Sequence, residues 1–421
     1  MIALLGLFLL SSVARAAAPI PFAEAIRLML SRDTEVSAVA AEADAAGDQS
    51  LGKRYHFLPS LSFEGTETWA KDVDRTTSLL GVASVPLFLF GADILASDAA
   101  DEHERAVRAR LEKTRLEREA KAIDAYLELV RATETRQVLA ALETMGMDSV
   151  KVAQGQFASG RIANQEVQKV KIDLEDTRFQ KAEAEQAWVD ARARVEALLG
   201  TADVVPEFPW KDRIEATHAP ALDPEEVLRV QPEWIEAERE SRAADAAARS
   251  AFRGLLPELT ARLTYGWETT PLSAVDPAGL VPTWNSGWSG ALTLTIPIWN
   301  GLRDYSGYRF LADTARATEA RMEGLKRDVL AETRALPSRY EIARKTALDR
   351  EGILRTSKQL YQDNLSRFRQ GRATSDELNI DLNRYLKTQL GAIGSWVAAH
   401  QAYVRLQHLR GVCATDCGAK R

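Results

Sequence analysis

The chain is written twice, and that duplication narrows its possible folds more than any single motif does. FLPSLSFEG (57–65) is echoed by LLPELTARLTYG (255–266), SVPLFLFG (84–91) by TIPIWNG (295–301), and QFASGRI (156–162) by RFRQGRA (367–373). The second and third echoes stand 211 residues apart and the first 198. The difference falls between the two extended segments of the second half, where a longer loop absorbs it. Each half then reads in one order. A helix (about 21–55, and 223–253) leads through Leu-Pro into a strand, a turn, a second strand and a proline. A very long helix, a short Gly-Arg turn and a last helix follow. Pro206, Pro209 and Pro220 punctuate the connector between the halves.

The extended segments have two faces. From Trp284 to Ile296 the even positions are Trp284, Ser286, Trp288, Gly290, Leu292, Leu294 and Ile296, while the odd ones are small and mostly polar. Leu259, Leu263, Tyr265 and Trp267 alternate likewise with Thr260, Arg262 and Thr264, and Leu61, Phe63 and Trp69 with Ser62, Glu64, Thr66 and Thr68. Each run is about 9–11 residues, the length of a tilted strand that crosses a bilayer. An ordinary two-sided soluble sheet would share this alternation. If the strands do span a membrane, four cannot close a barrel, for which about eight is the minimum. An open edge in lipid leaves backbone groups unpaired, so several chains must pool their strands.

The helical segments are of another kind. Residues 92–156 hold no proline and few glycines, and 302–367 repeat this with Pro337 as an expected kink or break. At about 1.5 Å per residue such helices reach on the order of 100 Å. Dense Ala, with interspersed Glu and Arg, is the pattern of close-packed coiled coil with a wet face. A filamentous coiled-coil scaffold without a pore would read the same way.

The remaining features bound function. Mean hydropathy is −0.24, 27% of residues are charged, and no internal apolar run approaches a membrane-spanning helix. MIALLGLFLLSSVARA, with Ala14-Arg15-Ala16 as its cleavage signature, reads as an export signal over 1–16. The net charge of −6 argues against nucleic acid as a partner. Cys413 and Cys417 are the only cysteines, and whether they pair is open. No phosphate-binding glycine loop, HExxH or Gly-x-Ser-x-Gly occurs, and the five histidines are scattered. The sequence therefore predicts no enzyme, no cofactor and no metal site.

On PFAEAIRLML near the mature start, the Leu-Pro entries FLPSL and LLPEL, the exits SVPLF and TIPIW, and their duplicated order, the chain resembles the TolC-like outer-membrane efflux proteins over nearly its whole length. That resemblance implies an α+β membrane protein, mainly α, built as a duplicated long-helix coiled-coil barrel. Two β-hairpins per chain would contribute to a shared, trimeric, twelve-stranded transmembrane barrel. The first repeat would occupy 17–210, with its hairpin at about 58–88, long helix 92–156 and tip turn 157–161. A linker at 211–222 would lead to the second repeat, 223–411, with its hairpin at about 256–298, long helix 302–367 and tip turn 368–372. Residues 412–421 would form a tail. The implied role is a passive exit duct, in the outer membrane of a Gram-negative bacterium with a long periplasmic extension. Its partners would be a periplasmic adaptor and an inner-membrane pump or exporter.

The resemblance also assigns candidate residues. FASGR (157–161) and FRQGR (368–372) fall at the family's periplasmic tips, making Gly160, Arg161, Gly371 and Arg372 candidates for adaptor contact; plain turn chemistry would account for them equally. Glu166 and Glu377, six residues after the tip glycines, match the spacing of a constriction acid. A second such acid would fall at Ile380, with Asp381 next to it, so Asp381 is a further candidate. A solvated surface carboxylate is the alternative for each. Trp69, Trp267, Trp284 and Trp288 are the candidate lipid-facing aromatics.

Overall fold

The computed structural model describes residues 20–70, 73–201, 203–204, 206–269, 284–299 and 301–415. The expected export signal at 1–16, residues 270–283 and Cys417 lie outside these residues. In the first half, α1 (Phe22–Ser31) and α2 (Thr34–Arg54) precede β1 (Ser60–Ala70) and β2 (Val73–Phe88). The long α3 (Ala92–Ala158) and the return helix α4 (Asn164–Leu199) follow, and α5 (Lys211–Ala216) lies in the connector. The second half repeats the order with α6 (Pro224–Val230), α7 (Pro232–Arg253), β3 (Glu258–Thr269), β4 (Trp284–Thr295), α8 (Arg303–Arg369) and α9 (Ser375–Leu409).

Where single helices were expected over 21–55 and 223–253, each is broken once, for a local reason. Asp33 turns its carboxylate back to accept from the amides of Glu35 (2.9 Å) and Val36 (3.1 Å), which starts a new helix. Gln231 precedes Pro232, which forces it into extended backbone (φ −77°, ψ 116°), and its side chain accepts from the Trp234 amide. The linker is not unstructured either, since α5 occupies half of it. Pro337, the expected kink or break, lies inside α8 without ending it. Leu336 and Tyr340 beside it are both buried and hold the helix in place there.

Both strand-to-helix exits use two successive left-handed residues. In the first repeat these are Phe90 (φ 50°) and Gly91 (φ 74°), and in the second Gly301 (φ 72°) and Leu302 (φ 69°). They are the same two positions at the 211-residue offset, with the glycine exchanged between them. Each exit therefore puts one side chain into a conformation that L-residues resist.

The chain divides into two bodies. One comprises residues up to Val36, Arg115–Asp223 and Glu332 onward, and the other Ser37–Thr114 and Pro224–Ala331. The first body holds the main apolar clusters. Phe22, Ile26 and Met29 of α1 meet Ile123, Tyr126, Leu127 and Val130 of α3, with Val195 and Leu199 of α4. Further along, Val138 and Leu142 of α3, Val167 and Val170 of α4, Tyr361 and Phe368 of α8, and Leu378 and Tyr385 of α9 form a second cluster. A third surrounds Ile214 of the connector, with Tyr340, Trp396 and Tyr403. Glu143 pairs with Arg178 (3.1 Å) and Lys181 (2.7 Å) across the α3–α4 seam, and these two cations hold its carboxyl below the usual range.

The second body carries the sheet. Its four strands lie in the order β1-β2-β3-β4, every neighbour antiparallel. The β2–β3 ladder joins the two repeats, pairing Gly81 with Tyr265 and Ala83 with Leu263. Among the described residues β1 pairs only with β2 and β4 only with β3, so both outer edges of the sheet are open.

Candidate functional site: the two-faced sheet and the hairpin tips

Register fixes which side chains share a face of the sheet. Leu61, Ala83, Leu263 and Gly290 form one row across all four strands, and Phe63, Gly81, Tyr265 and Trp288 the next. Gly65, Leu79, Trp267 and Ser286 form a third. Except for Leu79, which is partly buried, the large members of these rows are exposed, from 45% for Trp267 to 80% for Leu61. A continuous apolar face of this size does not stay open to water in a soluble monomer. The opposite face carries Ser60, Ser84, Arg262 and Ala291 in one row and Ser62, Val82, Thr264 and Ser289 in another. Thr264 and Ser289 share a 2.6 Å hydrogen bond, and Arg262 reaches Glu64 at 2.7 Å. Leu80 and Val82 are apolar exceptions on that side, and Val82 is buried.

Of the four candidate tryptophans, Trp267 and Trp288 lie on the apolar face, Trp267 with its ring 5.9 Å from Tyr265 in an edge contact. Trp69 is exposed at a register shift between Thr68 and Ala70. Trp284 opens β4 opposite Thr269, and its side chain lies outside the described residues.

The tips, in the other body, are built twice to one plan. Gly160 (φ 71°) and Gly371 (φ 70°) sit in the left-handed region just past α3 and α8. The Gly160 amide donates to the Phe157 carbonyl and the Arg161 amide to Gln156, both at 2.9 Å. The matching bonds are Gly371 to Phe368 (2.9 Å) and Arg372 to Arg367 (2.8 Å). This pair of bonds satisfies the last carbonyls of a helix and needs a residue without Cβ strain at the bend. Gln156 donates its side-chain amide to the Phe368 carbonyl at 2.7 Å, tying the first tip to the second. As a result Arg161, Glu166, Gly371, Arg372 and Glu377 line one cleft of about 400 Å³, together with Ile162, Phe368 and Thr374.

The candidate acids within this region have unequal surroundings. Glu377 is the third residue of α9 and closes a capping box: its carboxylate accepts from the Thr374 amide (3.0 Å), and the Thr374 hydroxyl accepts from the Glu377 amide (3.2 Å). Glu166 lies 3.1 Å from Lys169, whose ammonium also reaches Asp376 at 3.1 Å. Asp376 and then Glu166 raise the Lys169 pKa, so this bridge between α4 and α9 is charged throughout the neutral range. Asp381 is buried, 5% exposed, held by the Asn364 amide and by Arg384 at 2.7 Å.

That burial exposes a difference between the repeats. The counterparts of Asn364 and Asp381, 211 residues earlier, are Ala153 and Val170, both buried in the apolar cluster. Tyr361, stacked on Tyr385 with the rings 6.0 Å apart and nearly parallel, has a buried hydroxyl that meets no hydrogen-bond partner among the described residues. At these two positions the second hairpin is thus polar where the first is apolar. Thr374 and Lys169 were missed as part of this region. The Thr-x-x-Glu spacing of 374–377 is a legible capping signature, whereas nothing in the sequence brings Lys169 to Asp376.

Comparison with known proteins agrees with this geometry. Residues 25–201, most of the first repeat, match the outer membrane efflux protein family. No curated protein sequence matches the chain significantly. The fold extends the likeness across both repeats. CusC, solved in a study of transmembrane channel formation, is 16% identical and superposes with a TM-score of 0.80 over 92% of this chain and 91% of its own. The CmeC outer membrane channel of Campylobacter jejuni is 15% identical, with a TM-score of 0.78 over 92% and 84%. The open MtrE outer membrane channel of Neisseria gonorrhoeae is 18% identical, with a TM-score of 0.76 over 93% and 88%. The resemblance read from the sequence is thereby shown: the chain shares the mainly helical fold of these outer membrane channels, and residues 25–201 match the efflux protein family. No helix among the described residues is long and apolar enough to cross a membrane.

Proposed function

We propose that three copies of the chain pool their sheets into one twelve-stranded outer-membrane barrel. The long helices continue it as a periplasmic tunnel, and the assembly is the passive exit duct of a tripartite efflux or type I secretion system. The observation that carries this reading is the sheet: four strands, open at both edges, with one large apolar face exposed and the other face polar. In lipid each unpaired edge group costs several kcal/mol, so the edges must be covered by further strands. A twelve-stranded barrel satisfies that need with three chains, the polar face of Glu64, Arg262, Thr264 and Ser289 turned to its lumen.

In this reading an inner-membrane pump or exporter supplies the energy, and a periplasmic adaptor docks at the tips through Arg161 and Arg372 beside Gly160 and Gly371. Glu377 and Glu166 surround the closed end, where a threefold axis turns each acid into a ring of three, while Asp381, the weaker candidate, is buried between Asn364 and Arg384 and stands behind it. Such rings favour cations and accept basic partners. Reconstitution into planar bilayers tests the duct. A stable, cation-selective conductance supports it, and a protein that leaves the bilayer silent is a scaffold instead.

A further inference from the structure

The C-terminal end of the described chain is fastened by a buried charge. Helix α9 closes on Gly411 (φ 66°), whose amide donates to His408 at 2.8 Å while the Val412 amide donates to Gln407 at 3.1 Å. This turn sends the chain back across α3, where Ala414 packs against the cluster around Ile123 and Tyr126. There Glu119, with no exposed surface, gathers the segment. Its carboxylate accepts from the Ala414 amide (3.0 Å), the Thr415 amide (2.8 Å), the Thr415 hydroxyl and the His408 ring at 2.7 Å. A buried carboxylate is costly unless its oxygens are occupied by donors, and three of these four come from the last two residues of the segment.

We propose that residues 412–415 are a strap, latched by Glu119 and His408, that holds α9 on α3 while Glu119 is ionised and detaches when that carboxylate is protonated. Protonation leaves the carboxyl one acceptor site fewer for the Ala414 and Thr415 amides, which can only donate, and removes the charge that strengthens their bonds. The titratable group facing Glu119 from α9 is His408, and Cys413 precedes the two donors on the strap. On α3 itself, neighbouring Arg118 is engaged with Asp33 (3.4 Å) and Glu35 (3.3 Å). Burial alone would raise the Glu119 pKa, but the bonds from His408 and Thr415 outweigh it and hold the carboxyl below its usual range. The latch therefore stays closed through neutral and mildly acid conditions.

Hydrogen–deuterium exchange of the full-length protein in detergent tests this. Glu119→Gln at neutral pH mimics the protonated state, and exchange at Ala414 and Thr415 is expected to quicken by about tenfold or more. The α9 amides from Trp396 to Val404 should keep their protection. Thr415→Val, which removes one donor and keeps the charge, is expected to give a smaller rise at the same two amides. The proposal is overturned by unchanged protection at Ala414 and Thr415 in E119Q, or by a loss that spreads evenly through α9. Should E119Q fail to assemble, T415V decides: local loss supports the strap and no loss overturns it.

Discussion

Arg262 and Glu64 meet at 2.7 Å although they belong to different repeats, each standing on a strand that flanks β2. Their pairing marks one face of the sheet as polar, and it spans the seam where the two repeats join. Both side chains are nearly half exposed (47% and 44%), so the pair contributes about 0–1 kcal/mol to stability. Its effect should be on permeation. In the proposed trimeric barrel, replacing Arg262 by Ala would leave a ring of Glu64 carboxylates without counter-charge, and reversal potentials should shift toward cations while the melting temperature stays unchanged.

The opposite face predicts the reverse balance. An Arg in place of Leu263 or Phe63 would point into lipid, at about 2–4 kcal/mol near mid-depth. The same change at Ser62, on the polar face, should cost little. Urea titration of the assembled protein, or its yield in membranes, separates the two. Equal tolerance on both faces would mean that neither faces lipid.

At the tip, the cap and the charge of Glu377 can be told apart. Thr374→Ala removes the hydroxyl that caps α9 and should cost about 0.5–2 kcal/mol of local stability while leaving every carboxylate in place. Glu377→Ala removes both the reciprocal bond and the acid. If Glu377 helps close the duct, E377A should raise closed-state conductance and T374A should not. Matching conductances in the two variants would make Glu377 a capping residue alone.

Gly371 and Gly160 have open space around a hypothetical Cβ, so backbone conformation alone opposes substitution there. Ala at either position should destabilise its tip by about 1–2 kcal/mol. Gly155, inside α3 with equally open surroundings, should accept Ala with no loss. Local hydrogen exchange at the tips measures the difference.

His400 supplies a pH dependence with a definite sign. It is fully buried against Phe208, Trp210 and Trp396, its Nδ1–H donating to the Trp396 carbonyl at 2.7 Å. Burial lowers its pKa from 6.5 to about 4. The unfolded chain binds the proton near 6.5 and the folded one only near 4, so stability should fall as pH drops through that window and level off below it. The loss is on the order of 3 kcal/mol. Denaturant midpoints between pH 7.5 and 4 should show this slope, and His400→Gln should flatten it.

Much of this architecture is legible in the sequence because it rests on period. Alternation at 258–269 and 284–295 reports the two faces of the strands, and long proline-free runs report α3 and the first half of α8. The tips are legible through Gly160 and Gly371, since few residues other than glycine enter the left-handed bend. What the sequence hides is set by contacts between distant segments. Asp381 looks like a surface acid and is buried by Asn364 and Arg384, while Glu119 is one acid among many in α3 until the strap folds back on it. Pro337 looks like a break, yet the helix passes through because packing at Leu336 and Tyr340 outweighs one lost hydrogen bond.

The central claim is that the open sheet is completed by other copies of itself in a membrane. Its most direct test is the mass of the protein extracted from isolated outer membranes in mild detergent, by light scattering corrected for bound detergent. A detergent-dependent particle of three times the 46.5 kDa chain, less any cleaved leader, is the predicted result. Recovery without detergent as a monomer or an elongated dimer would contradict it.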